Sequence, residues 1–162
     1  MLTSLEPLLE GKRMVICAGS GGVGKTTTAA AVALGLAERG KKVAVVTIDP
    51  ARRLATALGL DELGNEPHRV PLEAEGELWA MMLDAKRTFD SLIERLAPDA
   101  RTRDEVFANR IYQQLSNAVA GSQEFTAIAK LYELDQDGRY DLLVLDTRPR
   151  ATLWTSWTRR SA

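Results

Sequence analysis

The stretch from Gly19 to Thr26, with the sequence GSGGVGKT, decides the fold of this chain of 162 residues. It matches the pattern G-x-x-x-x-G-K-[ST] at every defined position. An apolar run, KRMVICA (12–18), precedes it, and an Ala/Leu-rich run that ends in glycine, TTTAAAVALGLAERG (26–40), follows. The motif therefore lies between a predicted strand and a predicted helix. A phosphate-binding loop requires this placement, because the loop amides and the helix N-terminus must converge on phosphate oxygens.

Each part of this loop has a predicted role in holding a nucleotide. The ammonium of Lys25 can reach the terminal phosphates, which also makes it a candidate catalytic residue, and the Thr26 hydroxyl is a candidate Mg²⁺ ligand. The alternative is a glycine-rich turn that binds nothing, and the agreement of motif and context weighs against it. The predicted nucleotide-binding residues are Gly19, Ser20, Gly21, Gly22, Val23, Gly24, Lys25, Thr26 and Thr27.

Two acidic residues follow predicted buried strands. The run KVAVVTI (42–48) ends at Asp49, and YDLLVLD (140–146) ends at Asp146. We predict that Asp146 holds a Mg²⁺-bound water, although an acid at a strand end is also typical of a cap or turn. Asp49 is a candidate catalytic residue that contacts Mg²⁺ or the attacking water. Its position equally allows it to cap a helix beginning after Pro50.

Apolar runs that alternate with helical patterns predict an α/β fold, a mostly parallel sheet with helices on both faces and the nucleotide at the carboxyl ends of the strands. LWAMML (78–83) is a further strand, and 61–76 is predicted to be a loop. Helices are predicted over 51–60, 89–96, 106–119 and 123–134. We expect the apolar stripe of 106–119 to be core rather than an exposed binding face. Arg52 and Arg53 are interpreted as a solvated helix face rather than contacts with phosphate or a partner subunit.

The composition excludes several classes of function. The chain has 21 Lys and Arg against 22 Asp and Glu, so its charge gives no sign of a nucleic-acid partner. No apolar run approaches the roughly 20 residues that span a bilayer, and the N-terminus does not resemble a secretory leader. Cys17, the one cysteine, fits a cytoplasmic protein and is expected to be a buried, inert thiol. Trp79 is expected in the core and His68 at the surface.

Four segments together resemble the ArsA-type ATPases, within the MinD/ParA-like group of P-loop proteins. They are GSGGVGKTT, TIDPARR, AGSQE and YDLLVLDT, in the family's order and rough spacing over residues 10–147. The resemblance implies binding of ATP and Mg²⁺, ATP hydrolysis, a homodimer gated by nucleotide, and a client that is a metalloid or a membrane-protein tail. Residues 1–147 would then be the N-terminal part of a P-loop ATPase domain.

The resemblance also assigns roles to regions of the chain, and single residues depart from the family pattern. Asp49 to Thr56 would be the first switch, Ala120 to Glu124 an interface segment, and Asp146-Thr147 the start of the second switch. Ser20 stands where the family's signature lysine reaches across a dimer, and Thr56 stands where an acid is expected. Family members are also about twice this length. Hydrolysis is therefore doubtful, and the alternatives are a nucleotide-dependent interaction switch that does not hydrolyse, or an inactive fragment.

The tail over residues 148–162 has an atypical composition. It holds four arginines, two of the three tryptophans and no acid. Arginines without a supporting fold are weak evidence for nucleic-acid binding. Read one base earlier, each of its two Trp-Thr pairs would encode an apolar residue followed by Asp, because Trp is TGG and Thr codons begin with AC. We therefore hypothesise a reading-frame slip after Thr147, which the gene sequence can test.

Overall fold

The computed structural model describes residues 6–120 and 123–148. Its sheet confirms the predicted α/β class: five strands in the order β1-β5-β2-β4-β3, all parallel except β3. The tail from residue 149 and two residues of the predicted interface segment, 121 and 122, lie outside the described residues. The strands are β1 (Met14–Cys17), β2 (Lys42–Thr47), β3 (His68–Arg69), β4 (Glu77–Met82) and β5 (Leu142–Asp146).

Helices connect the strands and cover the two faces of the sheet. None of the helices in the described part is long and apolar enough to cross a membrane. The helices are α1 (Glu6–Leu9), α2 (Lys25–Ala37), α3 (Arg53–Ala57), α4 (Ala85–Leu96), α5 (Ala100–Ala108), α6 (Arg110–Ala120) and α7 (Gln123–Gln136).

The strand register places the functional ends of three strands side by side. β5 lies between β1 and β2, and Asp146 pairs in register with Cys17 on one side and Thr47 on the other. Because these strands are parallel, their carboxyl ends meet at one edge of the sheet. The glycine-rich loop after β1, the end of β5 and Asp49 after β2 are thereby brought together, as the sequence predicts.

Two apolar cores hold the layers together. On one face α2 and α3 pack on the strands, and Ala29, Ala33 and Ala37 are fully buried at helical spacing. These small side chains let α2 lie close over the sheet, which fixes the start of the helix next to the loop. On the other face α7 buries Leu131 and Leu134 against β4 and β5.

Two predictions about secondary structure are wrong in part. The predicted loop 61–76 contains β3, which pairs antiparallel with β4. The predicted helix over 106–119 is two helices, because Asn109 is extended and its side chain accepts a hydrogen bond from the backbone N–H of Ile111. Asn109 therefore ends α5 and caps α6. Ile111 is exposed, so this part of the stripe is not core.

The structure confirms some of the predictions about the burial of single residues and corrects others. Cys17 is half-buried rather than buried. Burial and then the charge of Asp146 raise the pKa of its thiol, which keeps it protonated as an inert cysteine would be. Trp79 is half-buried against the second core and donates to Glu77. His68 is exposed, as predicted.

Candidate nucleotide site

The glycine-rich loop runs directly into α2. Gly22 and Gly24 have φ values of +76° and +85°, a left-handed conformation that side chains with a Cβ rarely adopt. Gly24 is the N-cap residue of α2, and Lys25 is its first helical residue. The glycines of the motif therefore allow the chain to turn so that the helix begins at the loop.

Lys25 folds back over this loop. Its Nζ donates a hydrogen bond of 2.8 Å to the carbonyl oxygen of Ser20. The ammonium is thus held above the loop by a single neutral acceptor. A phosphate oxygen carries a full charge and forms a stronger hydrogen bond with an ammonium than a carbonyl does.

Asp146 lies at the base of the site, fully buried. Its Oδ2 accepts hydrogen bonds from the hydroxyls of Thr26 (2.8 Å) and Thr47 (3.0 Å). Its Oδ1 has no hydrogen-bond partner among the described residues. Burial raises the pKa of Asp146 above its ordinary value, and the charge of Asp49 adds to the rise, while the two hydroxyls and Lys25 oppose it. A cation above this carboxylate would offset the cost of its burial.

Asp49 is held in a turn after β2. Its Oδ1 accepts from the backbone N–H of Ala51 (3.1 Å), and its Oδ2 forms a 2.7 Å ion pair with Arg53. The N-cap position of α3 belongs to Arg52, which has φ of +54° and makes no side-chain cap. The interpretation of Asp49 as the cap of this helix is therefore wrong.

A cleft of about 540 Å³ joins the loop to the segment after β2. This volume lies within the usual range for small-molecule sites. Of the predicted site residues, those that line the cleft are Gly22, Gly24, Lys25, Thr26, Thr27 and Asp49. Asp146 does not line the cleft, but it accepts a hydrogen bond from Thr26, which does. The other predicted loop residues, Gly19, Ser20, Gly21 and Val23, belong to the loop but do not line the cleft.

Three further residues belong to this site, and only Thr47 among them lies outside the predicted switch regions. Thr47 bridges Asp146 and the backbone N–H of Asp49, and its signal was a polar residue in an otherwise apolar strand. Arg53 lines the cleft and forms an ion pair with Asp49 four residues earlier, and its side chain is 62% exposed, in keeping with the predicted solvated helix face. Thr147 also lines the cleft, and its hydroxyl donates to the carbonyl of Cys17 (2.8 Å).

At Ser20 and Thr56, the two positions that depart from the family pattern, the hydrogen bonds that the structure shows involve backbone carbonyls within the chain. Ser20 offers its carbonyl to Lys25 and carries no charge. Thr56 lines the cleft, but its hydroxyl donates to the carbonyl of Arg52 (3.1 Å). Neither position supplies the cation or the carboxylate that the resemblance leads one to expect.

Comparisons with known proteins show which family the chain resembles. A family described as anion-transporting ATPase (ArsA_ATPase) matches residues 12–153. ATPase GET3 of Malassezia globosa is 31% identical over 148 residues, which cover 90% of this chain and 42% of that protein. ATPase get3 of Aspergillus terreus is 30% identical over 154 residues, covering 92% and 44%. ATPase ASNA1 homolog 2 of Paramecium tetraurelia is 28% identical over 151 residues, covering 92% and 45%. The chain thus spans under half the length of these relatives.

Proposed function

Because the chain belongs to the anion-transporting ATPase (ArsA) family, we propose that it binds ATP together with Mg²⁺ in the cleft between the glycine-rich loop and Asp49. The choice of ATP over other nucleotides rests on the family. The binding of a phosphate chain is supported by the loop itself, because Gly22, Gly24 and Lys25 line the cleft where α2 begins.

The hydrogen bond between Thr26 and Asp146 is the observation that carries the metal part of this proposal. The Thr26 hydroxyl donates its hydrogen bond to Asp146, so the lone pairs of the Thr26 oxygen remain available to a cation. Asp146 keeps one buried oxygen without a partner among the described residues, which suits an acceptor for a metal-bound water. Oxygen donors of this kind are those that Mg²⁺ prefers, so the residues present fit the ion. When bound, Mg²⁺ would neutralise charge on the terminal phosphates.

Lys25 would bind the terminal phosphates by exchanging its neutral acceptor at Ser20 for a charged one. Asp49 is the candidate for positioning the attacking water, because Ala51 and Arg53 fix both of its oxygens at the rim of the cleft. In this proposal the protein contributes positioning and charge neutralisation rather than covalent chemistry.

A nucleotide-dependent interaction switch that does not hydrolyse ATP is a second candidate. It is favoured by Ser20 and Thr56, because a cationic finger is worth about 10³–10⁵ in rate in related systems and a threonine is no carboxylate base. A homodimer, a client that is a metalloid or a membrane-protein tail, and a cytoplasmic location are further proposals for the whole protein, and they rest on the family resemblance.

Titration with a fluorescent ATP analogue in the presence of Mg²⁺ tests the binding proposal. We expect saturable binding that unlabelled ATP reverses. Failure to bind would contradict it, and stronger competition by GTP would contradict the choice of ATP. Steady-state phosphate release separates the two candidates. We expect release near background, and turnover near the enzyme median of about 10 s⁻¹ would contradict weak hydrolysis.

A further inference from the structure

Two cationic side chains line the cleft of the candidate nucleotide site among the residues that the structure describes. Lys25 belongs to the glycine-rich loop, and Arg53 belongs to the segment after β2 that forms another part of the wall. Lys25 already has a role in the proposed function, whereas the charge of Arg53 is used only in its ion pair with Asp49. A nucleoside triphosphate carries one charged phosphate more than a diphosphate, so a second cation in the cleft suits this terminal group.

Arg53 is anchored to the base of the site through a series of hydrogen bonds. Its Nη1 donates to Oδ2 of Asp49 (2.7 Å), and the side chain of Asp49 is only 13% exposed. The backbone N–H of Asp49 donates to the hydroxyl of Thr47 (3.1 Å), which itself donates to Asp146 (3.0 Å). The guanidinium is therefore tied to the proposed metal site, although the arginine side chain itself reaches solvent.

The ion pair leaves most of the guanidinium available to a ligand. An arginine side chain carries five N–H donors in a planar fork. Nη1 makes the one hydrogen bond that this side chain forms within the described part of the chain. An arginine fork matches phosphate oxygens in geometry as well as in charge. Arg53 can therefore hold Asp49 with one N–H group and a phosphate with others.

The neighbouring Arg52 has different surroundings. Its φ of +54° is left-handed, a conformation that residues with a Cβ rarely adopt. Its guanidinium lies 3.9 Å from Glu62, and Arg52 lines a different, smaller cavity of about 60 Å³. Of the two consecutive arginines, Arg53 alone lines the nucleotide cleft. Backbone strain of this kind persists only where the surrounding structure holds it, and it is concentrated at ligand sites and switch segments.

We propose that Arg53 binds the terminal phosphate of a nucleoside triphosphate and gives the site its preference for a triphosphate over a diphosphate. This inference rests on the proposed function, because it needs a nucleotide in the cleft. Lys25 and Arg53 then contact the terminal phosphate from two parts of the wall, with Asp49 beside Arg53. Arginines supplied within the same chain stabilise charge on a transferring phosphate in other phosphoryl-transfer proteins.

The test compares the affinities for ATPγS and ADP, each with Mg²⁺, by isothermal titration calorimetry. The ratio of the two affinities is the triphosphate preference. Arg53→Ala should lower this preference at least about fivefold, as expected for a charge-assisted contact that water partly screens, and should leave the affinity for ADP almost unchanged. The matched control, Arg52→Ala, removes the adjacent arginine and should leave both affinities unchanged. Arg53→Gln, which is neutral but keeps a polar stem, should repeat the loss if Arg53→Ala does not fold.

Asp49→Asn separates a direct contact with the phosphate from an indirect one. If Arg53 binds the phosphate itself, removal of the neighbouring acid should raise the triphosphate preference, because the guanidinium loses a competing carboxylate and the phosphate loses a repelling one. If Arg53 acted only by holding Asp49 in place, Asp49→Asn would lower the preference as Arg53→Ala does. That result would overturn the proposal.

The remaining outcomes distinguish a failure of this inference from a failure of the proposed function. An unchanged preference in Arg53→Ala, or an equal loss of affinity for ATPγS and ADP, overturns the inference and leaves nucleotide binding in place. An equal loss of preference in Arg52→Ala also overturns it, since the effect would then come from general surface charge. If the wild type binds neither nucleotide, the proposed function is wrong and the inference is wrong with it.

Discussion

The parallel sheet and helix α5 differ in how deeply their residues are buried. In β2 every residue after Lys42 is buried, and in β5 all five are. None of the nine residues of α5, all of which the structure describes, is buried. The neighbouring helices α4 and α6 are joined by a hydrogen bond of 2.6 Å from Tyr112 to Asp90, and Asp90 also forms an ion pair of 2.7 Å with Lys86.

This difference explains where a nucleotide site can be built. The buried end of β5 holds Asp146 within hydrogen-bond distance of Thr26 and of Thr47, and the proposed metal site requires such fixed positions. Exposed helices with few buried contacts open at lower free energy than a core. We therefore expect the helical segment from α4 to α6 to open locally while the site keeps its geometry.

The largest effect should come from removing a core side chain of the sheet. Leu78→Ala deletes a side chain that is almost fully buried in β4, and we expect a loss of about 2–5 kcal/mol in the free energy of unfolding. Ile111→Ala makes a comparable change on exposed α6 and should stay within about 0.5 kcal/mol. Urea unfolding of both variants measures the two losses, and similar losses would remove the distinction between the two regions.

Next in size is the effect of the loop lysine on nucleotide binding. Lys25→Ala removes a charge-assisted contact worth roughly 1.5–3 kcal/mol, so affinity for a fluorescent ATP analogue should fall at least about tenfold. Lys86→Ala removes a lysine from the helical segment and should leave affinity unchanged. Equal affinity in the wild type and Lys25→Ala would refute the assignment of the loop.

A smaller, local effect is expected from Tyr112→Phe. This change removes the hydroxyl that donates to Asp90 and keeps the ring, at a cost of about 1 kcal/mol. Amide exchange in α4 and α6 should quicken, whereas amides of β2 and β5 should exchange as in the wild type. Faster exchange in the strands as well would show that the two regions open as one unit.

The smallest expected effect is a loss of local stability around Asp90 at low pH. Asp90 is partly buried, which opposes its ionisation, but hydrogen bonds from Lys86 and Tyr112 and the charge of Lys86 hold its pKa below the ordinary value of about 3.9. A lowered pKa contributes stability that is present above the unfolded value and lost as the pH falls through the folded value. The protection of amides in α4 and α6, taken relative to their intrinsic exchange rates at each pH, should therefore fall below about pH 4, and less so in Asp90→Asn. Opening that increases as the pH rises would contradict this.

The sequence predicts the buried region better than the exposed one. The runs before Asp49 and Thr147 are continuous and apolar because they become strands covered on both faces. The run before Gly19 becomes β1, in which Met14 and Ile16 are exposed. Each of the three strands lies close to its predicted position. The break at Asn109 comes from the side-chain cap that Asn109 gives to α6, and apolar periodicity encodes neither this cap nor the exposure of Ile111. Thr47 was missed because its role depends on Asp146, which only the fold brings close, whereas Arg53 and its partner Asp49 are four residues apart in the sequence.

The dependence of nucleotide affinity on Mg²⁺ tests most directly whether Thr26 and Asp146 form a metal site beneath the phosphate loop. ATP affinity should be measured with Mg²⁺ and with EDTA in the wild type, in Asp146→Asn, and in the control Asp137→Asn, which alters an exposed acid in a turn. We predict that Mg²⁺ tightens binding in the wild type and the control. We predict that Asp146→Asn loses this gain and keeps the metal-free affinity. An undiminished Mg²⁺ effect in Asp146→Asn would contradict the account.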